Sequence, residues 1–308
     1  MAYTKLIKTF TNSDEFNWHV QNEDSPCVLT DSDIGPCKEL WTKEYLINKL
    51  SGKTVQIHQS NQSNLDFVHK NFTYSTMQFE DFLSKAFQDS SNAQDSFYYL
   101  RAIGANPRTD VARLSKDFPE IANDLNMPPV CSGDNIFSEV LRISSNKIRI
   151  WTHYDVLDNV LIQIYGTKRC VLFAPSDLLN LYMIGDKSLI TDIDNPDYNK
   201  FPDFKKAVKY TIDLNPGDIL HIPALWLHNI VCLTPSISVN VFWKSLDESV
   251  YDKKDIYGNK DLIPAQKNFQ SLESSVRNLK KLPLKYQDFY IRRLISNLEV
   301  KLSLINDK

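Results

Sequence analysis

The stretch WTHYDVLDN, residues 151–159, places His153 and Asp155 two positions apart inside an apolar, aromatic run. Residues two apart on a β-strand project from the same face, so this imidazole and carboxylate would point the same way. A further histidine, His228, lies in PGDILHIPALWLHN, where Pro216-Gly217-Asp218 turns into a strand and Pro223 breaks it. Two histidines and one carboxylate on one side of an ion leave open positions for substrates, which is the pattern of non-haem Fe(II) sites. The histidine–x–aspartate pair alone is a weak signal, and its competing reading is a packed histidine beside a surface aspartate. The downstream segment supplies the missing ligand. His221 falls within the apolar run DILHIP and reads as a core histidine, while His19, His58 and His69 have no partners in sequence.

Three more residues bear on a cosubstrate. Lys168 follows His153 by fifteen positions, in the strand-like run KRCVLF. A lysine entering a protein interior is costly unless an anion meets it. The C5 carboxylate of 2-oxoglutarate would be that anion. Asn159, six residues after His153, can offer its amide to the C1 carboxylate, and Tyr99 in FYYLR can offer a hydroxyl to the far one. Each has a plain alternative: an outward lysine, a turn-capping asparagine, a core tyrosine. Trp243 reads either as a wall of the site or as core.

Elements that could position these residues are legible in the periodicity. From about Asn135 the chain breaks into short β-rich runs (KIRIWTHY, VLIQIYG, KRCVLFAP, KYTIDL, DILHIPAL, LHNIVCL, SISVNVFWK) separated by turn signals such as YGTKR and NPGD. Many short strands at regular spacing predict a jelly roll. Before them, TKEYLINKL and QFEDFLSKAF read as helices, and KTVQIHQS and SFYYLRAI as strands. After Ser245 the period becomes helical, with Phe269, Leu272, Val276 and Leu279 on one stripe and Tyr286, Phe289, Tyr290, Leu294 and Leu298 on another. The predicted class is therefore α+β, mainly β. A double-stranded β-helix core (about 95–245, in a domain 1–245) carries N-terminal α/β elements, and a helical pair occupies 246–308.

Composition is ordinary for a globular protein, with 42% hydrophobic and 24% charged residues. No apolar run approaches the roughly 18 residues of a membrane span, and the first residues lack the apolar core of a secretory signal. Five scattered cysteines without paired spacing point to reduced thiols in an intracellular, cytoplasmic protein and exclude a zinc ribbon. Charge is uneven: residues 251–308 carry 12 basic and 7 acidic side chains, a net +5, which leaves −8 on residues 1–250. A basic region on an acidic body suits a polyanionic partner, and equally a solvated helix face.

Taken together, His153-x-Asp155, Asn159, Lys168 and His228 after PGD…P…W resemble the JmjC oxygenases of the small hydroxylase type. Within that group the chain is most similar to the hydroxylases of wybutosine synthesis, which act on phenylalanine tRNA. The similarity spans nearly the whole chain; WTKEYL, FSEVLRISS, IWTHYDVLDNVLIQIYGTKR and DFYIRR carry it, and DNPDYNKFP and YDKKDIYGNKD discriminate best. The resemblance implies Fe(II) at His153, Asp155 and His228, 2-oxoglutarate and O2 as cosubstrates, and 2-oxoglutarate contacts at Tyr99, Asn159 and Lys168. It also implies the anticodon loop of phenylalanine tRNA as partner, and a homodimer through the C-terminal helices. Some relatives hold the cosubstrate with a threonine three residues before the first histidine. This chain has Ile150 there, Thr152 is not expected to replace it, and Tyr99 becomes the hydroxyl donor. Candidate phosphate contacts are Lys147, Arg149, Arg277, Lys280, Lys281, Arg292 and Arg293. Two rival readings share the fold: a protein hydroxylase acting on an amino-acid side chain, and a non-catalytic cupin-like binding protein.

Overall fold

The computed structural model describes residues 3–88, 96–133 and 135–306 of the chain. Eight strands form its centre: β1 (Ile136–Ser144), β2 (Arg149–His153), β3 (Asp158–Tyr165), β4 (Lys168–Phe173), β5 (Val208–Leu214), β6 (Ile219–Ile222), β7 (Leu227–Cys232) and β8 (Ser236–Trp243). They divide between two sheets, ordered β6-β3-β8-β1 and β5-β4-β7-β2, with every neighbour antiparallel. This is the jelly-roll, double-stranded β-helix arrangement that the strand runs predict. The first sheet extends beyond β1 through Phe97–Arg101 and Thr54–Ser60 to Thr73–Gln78. The second adds the short strand Lys187–Ser188 beside β2.

Three apolar layers hold these sheets. Between them lie Ile150, Leu161, Cys170, Leu172, Ile222 and Ile230. On the outer face of the first sheet, Val160, Ile162, Val239 and Val241 pack under the N-terminal elements through Phe16, Trp41, Leu46, Phe79 and Phe82. On the outer face of the second, Val171 and Phe173 pack under the 175–207 segment through Phe201 and Phe204. Strands covered on both faces are buried at every position rather than at alternate ones. That is why all eight residues of β8 and all six of β7 are buried. The predicted helices form at Lys43–Leu50 and Phe79–Ala86.

The chain separates into two compact units, 1–248 with 253–260, and 249–252 with 261–308. Residues 253–260 thus belong to the first unit. There Gly258, at φ +74°, sits so close to Leu157 that a Cβ would lie 2.4 Å from its Cδ1. The second unit holds the helices Ile263–Leu279 and Leu284–Asn306. Phe269, Tyr286, Phe289 and Leu298 on them are each more than half exposed. No helix among the described residues is long and apolar enough to cross a membrane.

The turn from β3 to β4 depends on Gly166, at φ +71°, where a Cβ would stand 2.0 Å from the Pro235 carbonyl oxygen. A left-handed conformation and a backbone clash act together there. Gly166→Ala is expected to destabilise the protein by about 2 kcal/mol or more, read as a lowered urea midpoint.

Candidate active site

β2 and β7 are neighbours, and His153 stands directly opposite His228 in their register. Each imidazole Nδ1–H donates to the carbonyl oxygen two residues before it, His153 to Trp151 at 2.9 Å and His228 to Trp226 at 3.0 Å. A carbonyl can only accept, so Nδ1 carries the proton and each Nε2 presents its lone pair. Asp155 lies just past the end of β2. Its Oδ2 is 3.6 Å from His228 Nε2, and the three ligand atoms fall within 4.8 Å of one another. Burial lowers both imidazoles below the usual histidine range and raises the Asp155 carboxyl. All three effects disfavour charge; a cation held between the three groups would favour an ionised carboxylate and two neutral imidazoles.

The loop that sets β7 in place is itself held against the site. Leu225 N–H donates to the Asp155 carbonyl at 2.8 Å, and Ala224 N–H donates to Asp158 Oδ1 at 2.9 Å. Leu225 adopts φ +68°, a left-handed conformation that a leucine tolerates at a cost of about 1–3 kcal/mol.

Behind the trio, an inner chamber is lined by Tyr99, Arg142, Ile150, Lys168 and Asn240 among others. Lys168 is 3% exposed, and its ammonium donates to Ser238 Oγ. Desolvation pushes its pKa down, and among the described residues no carboxylate pairs with it. Arg142 donates to the Tyr99 hydroxyl, and its Nε is buried without a partner. Asn159 accepts from Asn240 Nδ2 at 3.1 Å and leaves its own Nδ2 without a partner. On β3 it shares the inward face of Leu161, which lines the chamber. Unsatisfied donors and an uncompensated ammonium are what a small dicarboxylate would satisfy.

In front of the trio opens an outer chamber of about 550 Å³, walled by Phe67, Tyr74, Trp151 and Phe242 and edged by Arg101 and Tyr257. The Phe67 and Trp151 rings stack with centroids 3.4 Å apart.

Five of the six residues singled out in the sequence thus line one cavity system, and the sixth, Asn159, bonds Asn240, which lines it. Among the cavity residues not singled out are four with chemistry or bulk to contribute. Arg142, Asn240 and Phe242 sit on strands β1 and β8, whose inward positions the strand pattern marks only as alternating. Arg101 ends FYYLR, two residues past Tyr99 on the same strand face, a spacing that could have flagged it. Trp243 does not line either chamber; it stacks on the buried His221, 5.9 Å away on the other face. Ile150 does line the inner chamber, and Thr152 does not. The register between β2 and β7 slips between His228 and Ile230, and Thr152 instead accepts from Asn229. Arg149 is no free phosphate ligand, being bound to Asp192 at 2.7 Å and Asp194 at 2.9 Å.

The comparisons with known proteins agree with this geometry. Residues 13–249 match the family model described as a cupin-like domain. The chain is 43% identical to tRNA wybutosine-synthesizing protein 5 of Danio rerio over 95% of this chain and 91% of that protein. It is 42% identical to the Homo sapiens protein of the same name, over 94% and 93%. It is also 37% identical to tRNA wybutosine-synthesizing protein 4 of Gibberella zeae, over 95% of this chain but 28% of that longer protein. The chain belongs to the cupin-like, JmjC-type family, within the group of the tRNA wybutosine-synthesizing proteins.

Lys168 yields a prediction about the ligand-free protein. Its folded pKa lies below the ordinary 10.5. The unfolded chain therefore binds the extra proton, and stability rises with pH across the interval between the folded value and 10.5. Lys168→Met should remove that rise and be the more stable protein at neutral pH. Thermal melts across pH would show both.

Proposed function

We propose that this chain is an Fe(II)- and 2-oxoglutarate-dependent hydroxylase acting on the wybutosine-precursor side chain beside the anticodon of phenylalanine tRNA. One observation carries the reading: three converging ligand atoms at the mouth of a chamber whose buried donors lack an anion. The names and near-complete coverage of the relatives supply the substrate. In this reading His153, Asp155 and His228 hold the metal. Lys168 and Tyr99 receive the C5 carboxylate, and Asn159, steadied by Asn240, meets the C1 end. Fe(II), 2-oxoglutarate and O2 bound there supply the oxidising power to insert one oxygen atom into a C–H bond, with succinate and CO2 as coproducts.

The residues do the rest. The two backbone carbonyls at Trp151 and Trp226 keep both imidazoles in the ligating tautomer. Ile150, Leu161, Ile222 and Ile230 keep water from the inner chamber. The outer chamber, open beside His153 and Asp155, admits the target carbon. A base splayed from a single-stranded loop is an RNA element that such a pocket can take. The tRNA substrate and five unpaired cysteines suit a cytoplasmic protein.

Purified protein given Fe(II), ascorbate, 2-oxoglutarate and tRNA carrying the unhydroxylated precursor should add one oxygen atom to that nucleoside, read by mass spectrometry. His153→Ala should lose the product. Slow succinate formation without a nucleoside product would instead favour a protein substrate. No turnover of 2-oxoglutarate at all would favour the binding-protein reading.

The second unit is, in our reading, a homodimerisation element. Its helices expose large apolar side chains along their length, Leu284 and Ile305 among them, and such surface is normally buried against a partner. A second copy is the occupant we propose. Light scattering should give a dimer for the wild type and a monomer for the double variant Phe289→Glu, Leu298→Glu. A monomeric wild type would sink this.

A further inference from the structure

We infer that Arg101 is the anion receptor of the outer chamber, so that the substrate enters as a planar ring system carrying an oxyanion, with its ring on the side of Phe67 and Trp151. The inference rests on the RNA-modification reading for its substrate, but it stands on separate residues. Arg101 faces Arg142 across neighbouring strands in the register. Like charges placed opposite each other are destabilising unless each finds its own partner. Arg142 turns to the Tyr99 hydroxyl. Arg101 lines the outer chamber, where the fields of Tyr99, Asp155 and Tyr257 favour its charge and its close contacts are to Tyr257: its Cζ lies 4.9 Å from the ring centroid, and one Nη–H reaches the Tyr257 carbonyl at 3.5 Å. That second contact is at the limit of a hydrogen bond. Among the described residues no carboxylate pairs with Arg101. The two acidic groups of the chamber are otherwise engaged, Asp155 in the ligand trio and Asp186 with Lys187. Lys70, the remaining cation, stands at the exposed rim.

The support for Arg101 is built rather than incidental. Asp255 accepts from the backbone N–H of Tyr257 at 3.0 Å, Gly258 at 3.0 Å and Lys260 at 2.8 Å. The Tyr257 hydroxyl donates to the Pro107 carbonyl at 3.3 Å. Residues 253–260 therefore fold into a wall that holds one tyrosine against one arginine. Burial and the neighbouring Arg142 lower the guanidinium pKa to about 10, so it remains a cation at neutral pH. A planar, always-charged fork beside stacked aromatic rings suits a heteroaromatic base with a carboxylate on its side chain, or with a flanking phosphate.

The test uses the full chain loaded with Mn(II) and 2-oxoglutarate. Calorimetry would compare indole-3-acetate with indole-3-acetamide, which differ only in the anion. The acid should bind about tenfold or more tightly than the amide, as a charge-assisted contact requires, and Arg101→Gln should erase the difference while Arg101→Lys keeps part of it. Equal affinities in the wild type would overturn the inference, whatever the tRNA assay gives. On tRNA, Arg101→Gln should raise the KM for tRNA about tenfold without a matching rise for 2-oxoglutarate. A rise in the 2-oxoglutarate KM alone would assign Arg101 to the cosubstrate and equally overturn it. The free precursor nucleoside, which has no phosphate, separates the two anion sources. Weaker inhibition by it in Arg101→Gln assigns the anion to the base. Weakening confined to tRNA assigns it to a phosphate. Absence of tRNA oxidation by the wild type would count against the proposed function, and the acid–amide comparison would still decide Arg101.

Discussion

The pairing of β2 with β7 is the contact on which the site depends. It sets His153 opposite His228, and those two strands come from opposite ends of the β region. Backbone hydrogen bonds impose that register, and a one-residue slip in a strand turns every side chain to the other face. The local shift between His228 and Ile230 is therefore consequential. It carries Ile150 into the inner chamber beside His153, and it leaves Thr152 to bond Asn229 in the second sheet. One irregularity thereby places an apolar side chain on the chamber wall.

A strained turn and three apolar layers protect that register. Leu225 holds a left-handed backbone because its N–H is tied to Asp155 and the next residue, Trp226, is anchored to the Asp24 carbonyl at 3.2 Å. The same turn therefore joins the carboxylate ligand to the strand bearing the second histidine. Cores on both sides of each sheet make the strands rigid, so the ligands are presented by packed elements rather than by mobile loops.

Electrostatically the cavity is incomplete on its own. Three ligand groups are desolvated toward their neutral forms, Lys168 is buried without a carboxylate, and Arg142 and Asn159 hold unsatisfied donors. Buried polar groups are ordinarily paired, and Lys168 and Arg142 line this cavity. A divalent cation with a dicarboxylate would answer the inner set, and an anionic substrate would answer Arg101. Arg142, between the two chambers, belongs to both walls.

The amino-acid sequence by itself determined the element types, the jelly-roll class and five residues that line the cavity, because each rests on short-range information. Alternation marks a strand, a 3.6-residue period marks a helix, and His153, Asp155, Asn159 and Lys168 lie close together in the chain. Only the tertiary structure decided which inward positions share the cavity, since Arg142, Asn240 and Phe242 look like any alternating strand residue until two sheets face each other. It likewise decided that Arg149 is consumed by Asp192 and Asp194, and that residues 253–260 return to wall the outer chamber against Arg101. Those outcomes are contacts between segments far apart in the chain, set by sheet register and packing, and no local pattern encodes them.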